Sequence, residues 1–219
     1  MKRFLLMAMA AFTLCLLVTS CGTSSRISDA LGVHPRTVRP LPVTIRVRHL
    51  EDGIYPVRFS PAHIRDMKGG FEVPFEVFSP DYYDVLDVHD LAVGDRIAWD
   101  GKVVRIDSLR TERGAILING GIDYGGIDLV PEGGGVYRSQ GFDDYMTYTA
   151  HGRTRLFVAD SLPFADRGNV EQTMDGVVVP AGQVAAYLRR LPYPNFTQYN
   201  ARIRIERGAV VEFWREYTP

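Results

Sequence analysis

Apolar and polar residues alternate with a period of two in several short runs after residue 41. Such alternation buries one face of a strand and leaves the other in water, as in an antiparallel sheet. The runs that predict strands are 43–48, 71–77, 153–158, 201–206 and, beyond the turn Arg207-Gly208, the stretch with Val211, Phe213 and Trp214. Pro74 cannot donate a ladder hydrogen bond, so we expect its strand at a sheet edge.

Two segments have helical patterning instead. In the first, Ser60 can cap a helix, Pro61 suits its first position and Gly69 ends it. The second begins at Pro180, and four apolar residues follow at the spacing i, i+3, i+4 and i+7, namely Val184, Tyr187, Leu188 and Leu191. Glycine-containing turns separate the strands in the middle of the chain. These are Gly94-Asp95, Asp100-Gly101, Asn119-Gly120-Gly121 and Gly133-Gly134-Gly135.

Many short strands with two short helices predict a mainly β fold, either an antiparallel sandwich or a partly open barrel. We expect one β-rich domain over residues 42–219. A subdivision near residue 112 is the alternative, since a small barrel of SH3 size would end there.

The N-terminus has the pattern of a secretory signal peptide. Met1-Lys2-Arg3 is basic, and the apolar run 4–18 is interrupted only by Thr13. This run is shorter than the ~20 residues that a helix needs to cross the hydrocarbon core of a bilayer.

The run ends in Val18-Thr19-Ser20-Cys21, which resembles the lipobox of bacterial lipoproteins. The resemblance implies a signal peptide over residues 1–20 and a Cys21 that carries diacylglycerol and an N-terminal acyl chain such as palmitate. Residues 21–41 would then be the lipidated N-terminus and a flexible tether. Gly22 stands where an Asp would retain such a protein in the inner membrane, so the resemblance implies the outer membrane if the cell is Gram-negative.

Composition narrows the possible functions further. The chain has 219 residues, of which 46% are hydrophobic and 23% charged, as in folded globular proteins. Without Lys2 and Arg3, 23 basic and 26 acidic side chains give a net charge of −3, which argues against nucleic acid as a partner. Only Cys15 and Cys21 are present, so the mature domain has no thiol for a disulfide, a zinc site or a nucleophile.

The densest candidate chemistry lies between Ile118 and His151, where glycines, aspartates and tyrosines alternate. Three interpretations stay open: oxygen ligands for Ca²⁺ on flexible loops, a sugar- or peptide-binding face of tyrosines beside carboxylates, or turns that need glycine and aspartate. The candidate ligand-binding residues are Asp123, Tyr124, Asp128, Asp143, Asp144 and Tyr145. The Ca²⁺ candidates among them are Asp123, Asp128, Asp143 and Asp144.

Carboxylates of this region also permit a second class of function, that of a hydrolase. Two of them facing each other across a groove would serve as acid and base in glycoside cleavage. The candidates are the four aspartates above and Glu132, and nothing in their spacing selects a pair. No local metalloprotease, serine-hydrolase, dinucleotide or EF-hand motif is present.

Arginines near the C-terminus predict one wet sheet face. Arg202, Arg204, Arg207 and Arg215 are candidates for that face, with their charge offset by Glu206, Glu212 and Glu216.

The middle of the chain also resembles a group of uncharacterised secreted lipoproteins of anaerobic bacteria. The resemblance is carried by the phrases 91–97 (LAVGDRI), 100–104 (DGKVV), 118–121 (INGG), 126–130 (GIDLV) and 141–144 (GFDD), and by the ending 217–219 (YTP). It implies one shared framework over most of residues 80–160 and no catalytic role. We therefore expect a lipid-anchored envelope protein that binds or scaffolds an envelope glycan or a protein partner, with no cofactor except Ca²⁺ in the first interpretation.

Overall fold

The computed structural model describes residues 34–141, 145–168, 176–192 and 194–217. The chain is mainly β, with 49% of residues in strands and 10% in helices, and one sheet curls into a half-barrel. The predicted fold class is thereby confirmed. The predicted signal peptide and Cys21 lie outside the described residues. Neither α-helix in the described ranges is long and apolar enough to cross a bilayer.

The strands of the described ranges follow one another through short turns and two helices. They are β1 (Thr37–Val38), β2 (Gly53–Arg58), β3 (Arg65–Met67), β4 (Gly70–Pro80), β5 (Tyr82–Asp84), β6 (Arg96–Trp99), β7 (Lys102–Arg105), β8 (Leu109–Glu112), β9 (Ala115–Ile118), β10 (Ile127–Gly133), β11 (Val136–Gln140), β12 (Tyr148–Ala159), β13 (Phe164–Asp166), β14 (Val177–Val179), β15 (Ala201–Glu206) and β16 (Ala209–Arg215). Helix α1 spans Val85–His89 and α2 spans Val184–Arg190, and 3-10 turns cover Pro61–His63 and Ile122–Tyr124.

Three sheets arise from these strands. The largest has the order β12-β4-β2-β15-β16-β13-β14, with β3 as an additional partner of β4. A five-stranded sheet has the order β5-β11-β10-β9-β8, and a three-stranded sheet has the order β1-β6-β7. All pairs are antiparallel except β1 with β6 and β13 with β16, which are parallel.

Aromatic side chains fill the core under the largest sheet. Strand β4 pairs with β12 along its length and buries Phe71, Val73, Phe75 and Val77 on one face. The rings of Phe59, Phe75, Phe164, Phe196 and Phe213 contact one another at centroid distances of 4.4–6.1 Å. Truncating one buried phenylalanine to alanine in such a cluster costs about 3–5 kcal/mol of stability.

A second apolar cluster lies under the two smaller sheets. It contains Tyr83, Ile97, Ile118 and Leu129, all with no exposed surface, and Val38 from β1. Thr37 and Val38 fall within the predicted tether 21–41, yet they form β1 and pair with β6. Residue 112 lies at the end of β8, inside its hairpin with β9, and whether the chain folds as one unit or two stays a prediction.

Several predicted elements are present and three are wrong. Strands at 71–77, 153–158 and 201–206, the turn Arg207-Gly208 and the helix after Pro180 are confirmed. Residues 43–48 form no strand, because Val47 and Arg48 lie in a turn in which the His49 amide donates to the Arg46 carbonyl at 2.8 Å.

The predicted helix over 60–69 shrinks to one 3-10 turn. Ile64 is already extended, β3 follows, and Lys68 with Gly69 closes a hairpin into β4 at the pair Met67 and Gly70. Gly69 has φ +81, a conformation that favours glycine, so it serves a hairpin and not a helix end.

Helix α1 was not predicted, because five residues give too short an apolar pattern. The Asp84 carboxylate caps it by accepting from the Leu86 amide at 2.8 Å.

The prediction that the strand containing Pro74 lies at a sheet edge is also wrong. Strand β4 has partners on both sides. Proline is nevertheless accommodated, because β3 pairs with Glu72 and β2 pairs with Glu76, which leaves Pro74 in the gap between the two partners.

A buried ion pair joins β13, β16 and α2. The Arg215 guanidinium donates to both carboxylate oxygens of Asp166, at 2.7 and 2.8 Å, and neither side chain is more than 5% exposed. The Tyr187 hydroxyl and the Gly168 amide also donate to this carboxylate, at 2.7 and 3.0 Å. Arg215, expected on a wet face, is therefore buried, and its guanidinium stacks on the Phe196 ring.

Removing one partner of this pair is expected to destabilise the protein strongly. Arg215→Met leaves an uncompensated buried carboxylate and should lower the unfolding free energy by about 3–5 kcal/mol. Arg204→Met is the matched control, because its ion pair with Glu212 is half-exposed, and should cost at most about 1 kcal/mol. Urea unfolding measures the unfolding free energy of both variants. Equal losses of unfolding free energy in the two would contradict the role given to the buried pair.

Candidate functional site

The predicted ligand-binding residues do not converge on one site. Asp123 and Tyr124 lie on the exposed 3-10 turn Ile122–Tyr124, and Tyr124 is 82% exposed. The Asp128 carboxylate accepts from the Ile122 amide at 3.1 Å and so stabilises that turn. Asp143 and Asp144 lie outside the described residues. Tyr145 belongs to a different surface, where its ring lies 4.9 Å from the ring of Tyr199.

The metal and hydrolase interpretations gain no support from the described part of the chain. Within it, no three His, Cys, Asp or Glu side chains lie close enough to hold a metal ion. Glu132 forms an ion pair with Arg138 at 2.7 Å, and Asp128 is engaged by its turn. A Ca²⁺ site or a hydrolase that uses Asp143 and Asp144 stays a prediction.

A different set of residues forms a row across the outer face of the largest sheet. Val178 pairs with Ala165, Ala165 with Trp214, and Trp214 with Arg202, on the adjacent strands β14, β13, β16 and β15. Their sequence neighbours Val179, Phe164, Phe213 and Ile203 are buried on the inner face. The row thus lies on the side away from the core, as strand alternation requires.

A groove of about 280 Å³ runs along the apolar half of this row. Trp214, Ala165 and Val178 line it, and Pro163 and Val211 extend the apolar lining. Val178 is 71% exposed. Leaving its apolar side chain in water is unfavourable, because burial would stabilise it. The charged side chains of Arg167 and Glu212 also line the groove, so it offers one donor and one acceptor beside the indole.

The other half of the row is polar and fixed by hydrogen bonds. The Trp214 indole N–H donates to Glu216 at 3.1 Å, and Arg202 lies 3.9 Å from the same carboxylate. Arg202 also donates to the Tyr148 hydroxyl at 3.3 Å and to the Gln198 carbonyl at 2.8 Å. These contacts hold the indole and the guanidinium in place before any ligand arrives.

Three tyrosines border this polar half. The Tyr199 ring lies 5.6 Å from that of Tyr148 and also contacts Tyr145. Burial raises the pKa of Tyr148, and the opposing effect of Arg202 does not cancel the shift, so the hydroxyl stays protonated. Since that hydroxyl accepts from Arg202, its own proton is left to donate. Tyr145, a candidate from the sequence, thus lies next to the row, together with Tyr148 from the same 118–151 region.

The sequence contained a signal for this surface. The period of two in 201–206 assigns Arg202 to the exposed face. The return strand carries a large aromatic, Trp214, at a position that alternation places outward. The contribution of β13 and β14 has no local signal, because their valines and alanine resemble ordinary buried strand residues.

A second polar cluster surrounds a β-bulge in β12. His151 is the extra residue between the partners Ala150 and Gly152, and its Nε2 lies 2.8 Å from the Ser79 hydroxyl. Such a bond is the arrangement of a serine nucleophile and its base. Ser79, however, is only 6% exposed, so its oxygen does not face a substrate. We interpret the pair as a structural link that fixes the bulge, next to the buried Asp81, which accepts from Thr149 at 2.7 Å.

Comparisons with protein-family models, with curated proteins and with solved structures found no match for this chain. The class that the fold and the site define is a mainly β protein with a preformed aromatic groove on the outer face of its largest sheet.

The partial burial of His151 makes stability depend on pH. Burial lowers the pKa of His151, so the unfolded chain binds the proton more tightly than the folded one does. The unfolding free energy should therefore be constant above about pH 7 and fall as pH drops through about 6.5. His151→Gln should reduce this fall, as measured by urea unfolding at pH 7.5 and 5.5. The exposed His63 provides the control variant His63→Gln, and equal pH dependence in both variants would contradict the assignment.

Proposed function

We propose that the protein is a lipid-anchored envelope protein whose β domain binds a glycan in the groove lined by Trp214. The observation that carries this proposal is the outer-face row Val178–Ala165–Trp214–Arg202, which places an indole between an apolar groove and a fixed arginine.

The groove has the chemistry that a sugar ring needs. Pyranose C–H groups stack on an aromatic plane, and hydroxyl or amide groups need charged donors and acceptors beside it. Trp214 supplies the plane, and Arg167 and Glu212 supply the polar partners. Pro163, Val178 and Val211 match the methyl groups of N-acetylated sugars, so an N-acetylated envelope glycan is the favoured ligand class.

The groove size suits one unit of a longer polymer. Its volume of about 280 Å³ lies just below that of typical ligand sites, which span roughly 300–1,000 Å³. A polymer that places one ring on Trp214 can extend along the same face toward Arg202 and the tyrosines. The buried ion pair and the hydrogen bonds of Arg202 keep this surface preorganised, which reduces the entropy cost of binding.

The anchor completes the proposal. The lipobox-like Val18-Thr19-Ser20-Cys21 supports lipidation of Cys21, and 13 positions separate it from His34, where the described fold begins. An extended tether of that length reaches at most roughly 45 Å. The β domain would then lie close to the membrane surface and within reach of envelope polymers.

Glycan binding is tested with chitotetraose and soluble peptidoglycan fragments, titrated calorimetrically into the full chain in non-ionic detergent. Trp214→Ala should weaken binding about tenfold or more, because it removes the stacking plane. Tyr124→Ala is the matched control, an exposed aromatic in the loop region that the sequence favoured, and should leave binding unchanged. Loss of binding in Tyr124→Ala alone would move the site to residues 118–149. No binding to the wild-type chain would overturn the proposal.

Lipidation is tested separately by intact-mass analysis of the protein isolated from membranes. We expect the mass of residues 21–219 plus diacylglycerol and one acyl chain. The Cys21→Ser variant should instead have the mass of the uncleaved chain, with residues 1–20 present and no lipid attached. An unmodified Cys21 in the wild-type protein would refute the anchor.

A further inference from the structure

A second cavity lies where the described chain begins. Its volume is about 320 Å³, and His34, Arg96 and Arg105 line it together with Pro35, Val93 and Gly94. We call the cavity lined by His34, Arg96 and Arg105 the arginine pocket. It belongs to the small sheet β1-β6-β7, so it is separate from the groove lined by Trp214.

The two arginines of the pocket are placed directly opposite each other. Arg96 and Arg105 are register partners in the hairpin of β6 and β7. Like charges in such a position repel and destabilise a hairpin. Among the described residues Arg96 forms no ion pair. Arg105 pairs there only with Asp107, at 3.4 Å, and the side chains of Arg105 and Asp107 are each more than 70% exposed. An anion between the two guanidinium groups would relieve this repulsion.

A buried carboxylate orients the histidine of the pocket. Asp95 has no exposed surface, and both its oxygens lie within 2.9 Å of Nδ1 of His34. It also accepts from the amides of Arg36 and Ala92, each at 2.9 Å. Burial alone would raise the pKa of Asp95, but these hydrogen bonds hold it below its ordinary value. Since an ionised carboxylate only accepts, Nδ1 carries the proton and Nε2 is left to accept from a ligand hydroxyl, such as the P–OH of a singly protonated phosphate.

Behind Asp95 lies a buried arginine, Arg36, which is also near two further carboxylates, 3.7 Å from Asp87 and 4.0 Å from Asp90. The Arg36 side chain is 4% exposed, and its Nε lies 3.8 Å from Asp95. A second nitrogen of Arg36 donates to the Asp87 carbonyl at 2.6 Å, which fixes the guanidinium beneath the carboxylate. Arg36 therefore offsets part of the negative charge behind His34, while Arg96 and Arg105 supply the positive charge that lines the cavity.

We propose that the arginine pocket binds a phosphomonoester group. Planar guanidinium forks match phosphate oxygens bidentately, and two of them face the same cavity as an oriented imidazole. The phosphate can come from a soluble ester or from a lipid headgroup. The pocket follows the tether directly, so a lipid headgroup is within reach if Cys21 is anchored. The proposal does not depend on glycan binding by the other groove.

The site is tested by calorimetric titration of the full chain in non-ionic detergent with inorganic phosphate and with glycerol 3-phosphate. Arg96→Gln and Arg105→Gln should each weaken binding about tenfold, because each removes a charge-assisted pair. Arg110→Gln is the matched control, since Arg110 is equally exposed on the neighbouring β8 but does not line the cavity. No binding to the wild-type chain, or equal losses in all three variants, would overturn the proposal.

The source of the phosphate is distinguished by reconstituting the full chain into vesicles. Vesicles of phosphatidylcholine with phosphatidic acid are compared with vesicles brought to the same surface charge by oleate. Weaker binding of glycerol 3-phosphate in the phosphatidic acid vesicles alone would show that headgroups occupy the pocket. Equal binding in both would support a soluble phosphate ester. Either result is independent of chitotetraose binding, so failure of one proposal leaves the other standing.

Discussion

The pairing of Asp166 with Arg215 is the interaction on which the largest sheet and its outer face depend. Asp166 lies beside Arg215 in the parallel ladder of β13 and β16, and the preceding pair in that ladder is Ala165 with Trp214. The inner ion pair therefore fixes the register that brings Ala165 and Trp214 together outside. A slip of one residue would turn every side chain of β13 to the opposite face. The groove is thus positioned by an electrostatic contact in the core beneath it.

The sequence predicted those parts of the fold in which one strand face is buried and the other is wet. Residues 71–77 and 201–206 show this pattern, and both are strands. The same alternation failed at 43–48, where Ile45 and Val47 pack against the core without joining a ladder. The capping signal of Ser60 and Pro61 failed because a single 3-10 turn uses the same residues as a longer helix. Local patterns identify which side chains seek the core, while ladder partners are set by distant segments.

The candidate site was predictable only in part, for a related reason. Local density of glycine, aspartate and tyrosine drew the prediction to Asp123, which lies on an exposed turn, and to Asp128, whose carboxylate stabilises that turn. The groove is instead assembled from two distant parts of the chain, which meet through the parallel pairing of β13 with β16. Its lining residues are Pro163, Ala165, Arg167, Val178 and 211–214. The alternation of 201–206 did assign Arg202 correctly to the outer face, but the same reasoning assigned Arg215 to a wet face. The buried Asp166 that accepts Arg215 is 49 positions away, and its pairing has no local signal.

The long-range pairing of β2 with β15 has a kinetic consequence. Tyr55 pairs with Ile203, so 148 positions of chain must be closed into a loop before this ladder forms. Closing so long a loop costs entropy before its contacts reward it, and folds dominated by such pairings form slowly. Strand β2 can pair with β4 early, but it cannot gain its second partner β15 until the C-terminal hairpin has been synthesised. The two parts of the largest sheet, β12-β4-β2 and β15-β16-β13-β14, therefore join only after nearly the whole chain has emerged from the ribosome.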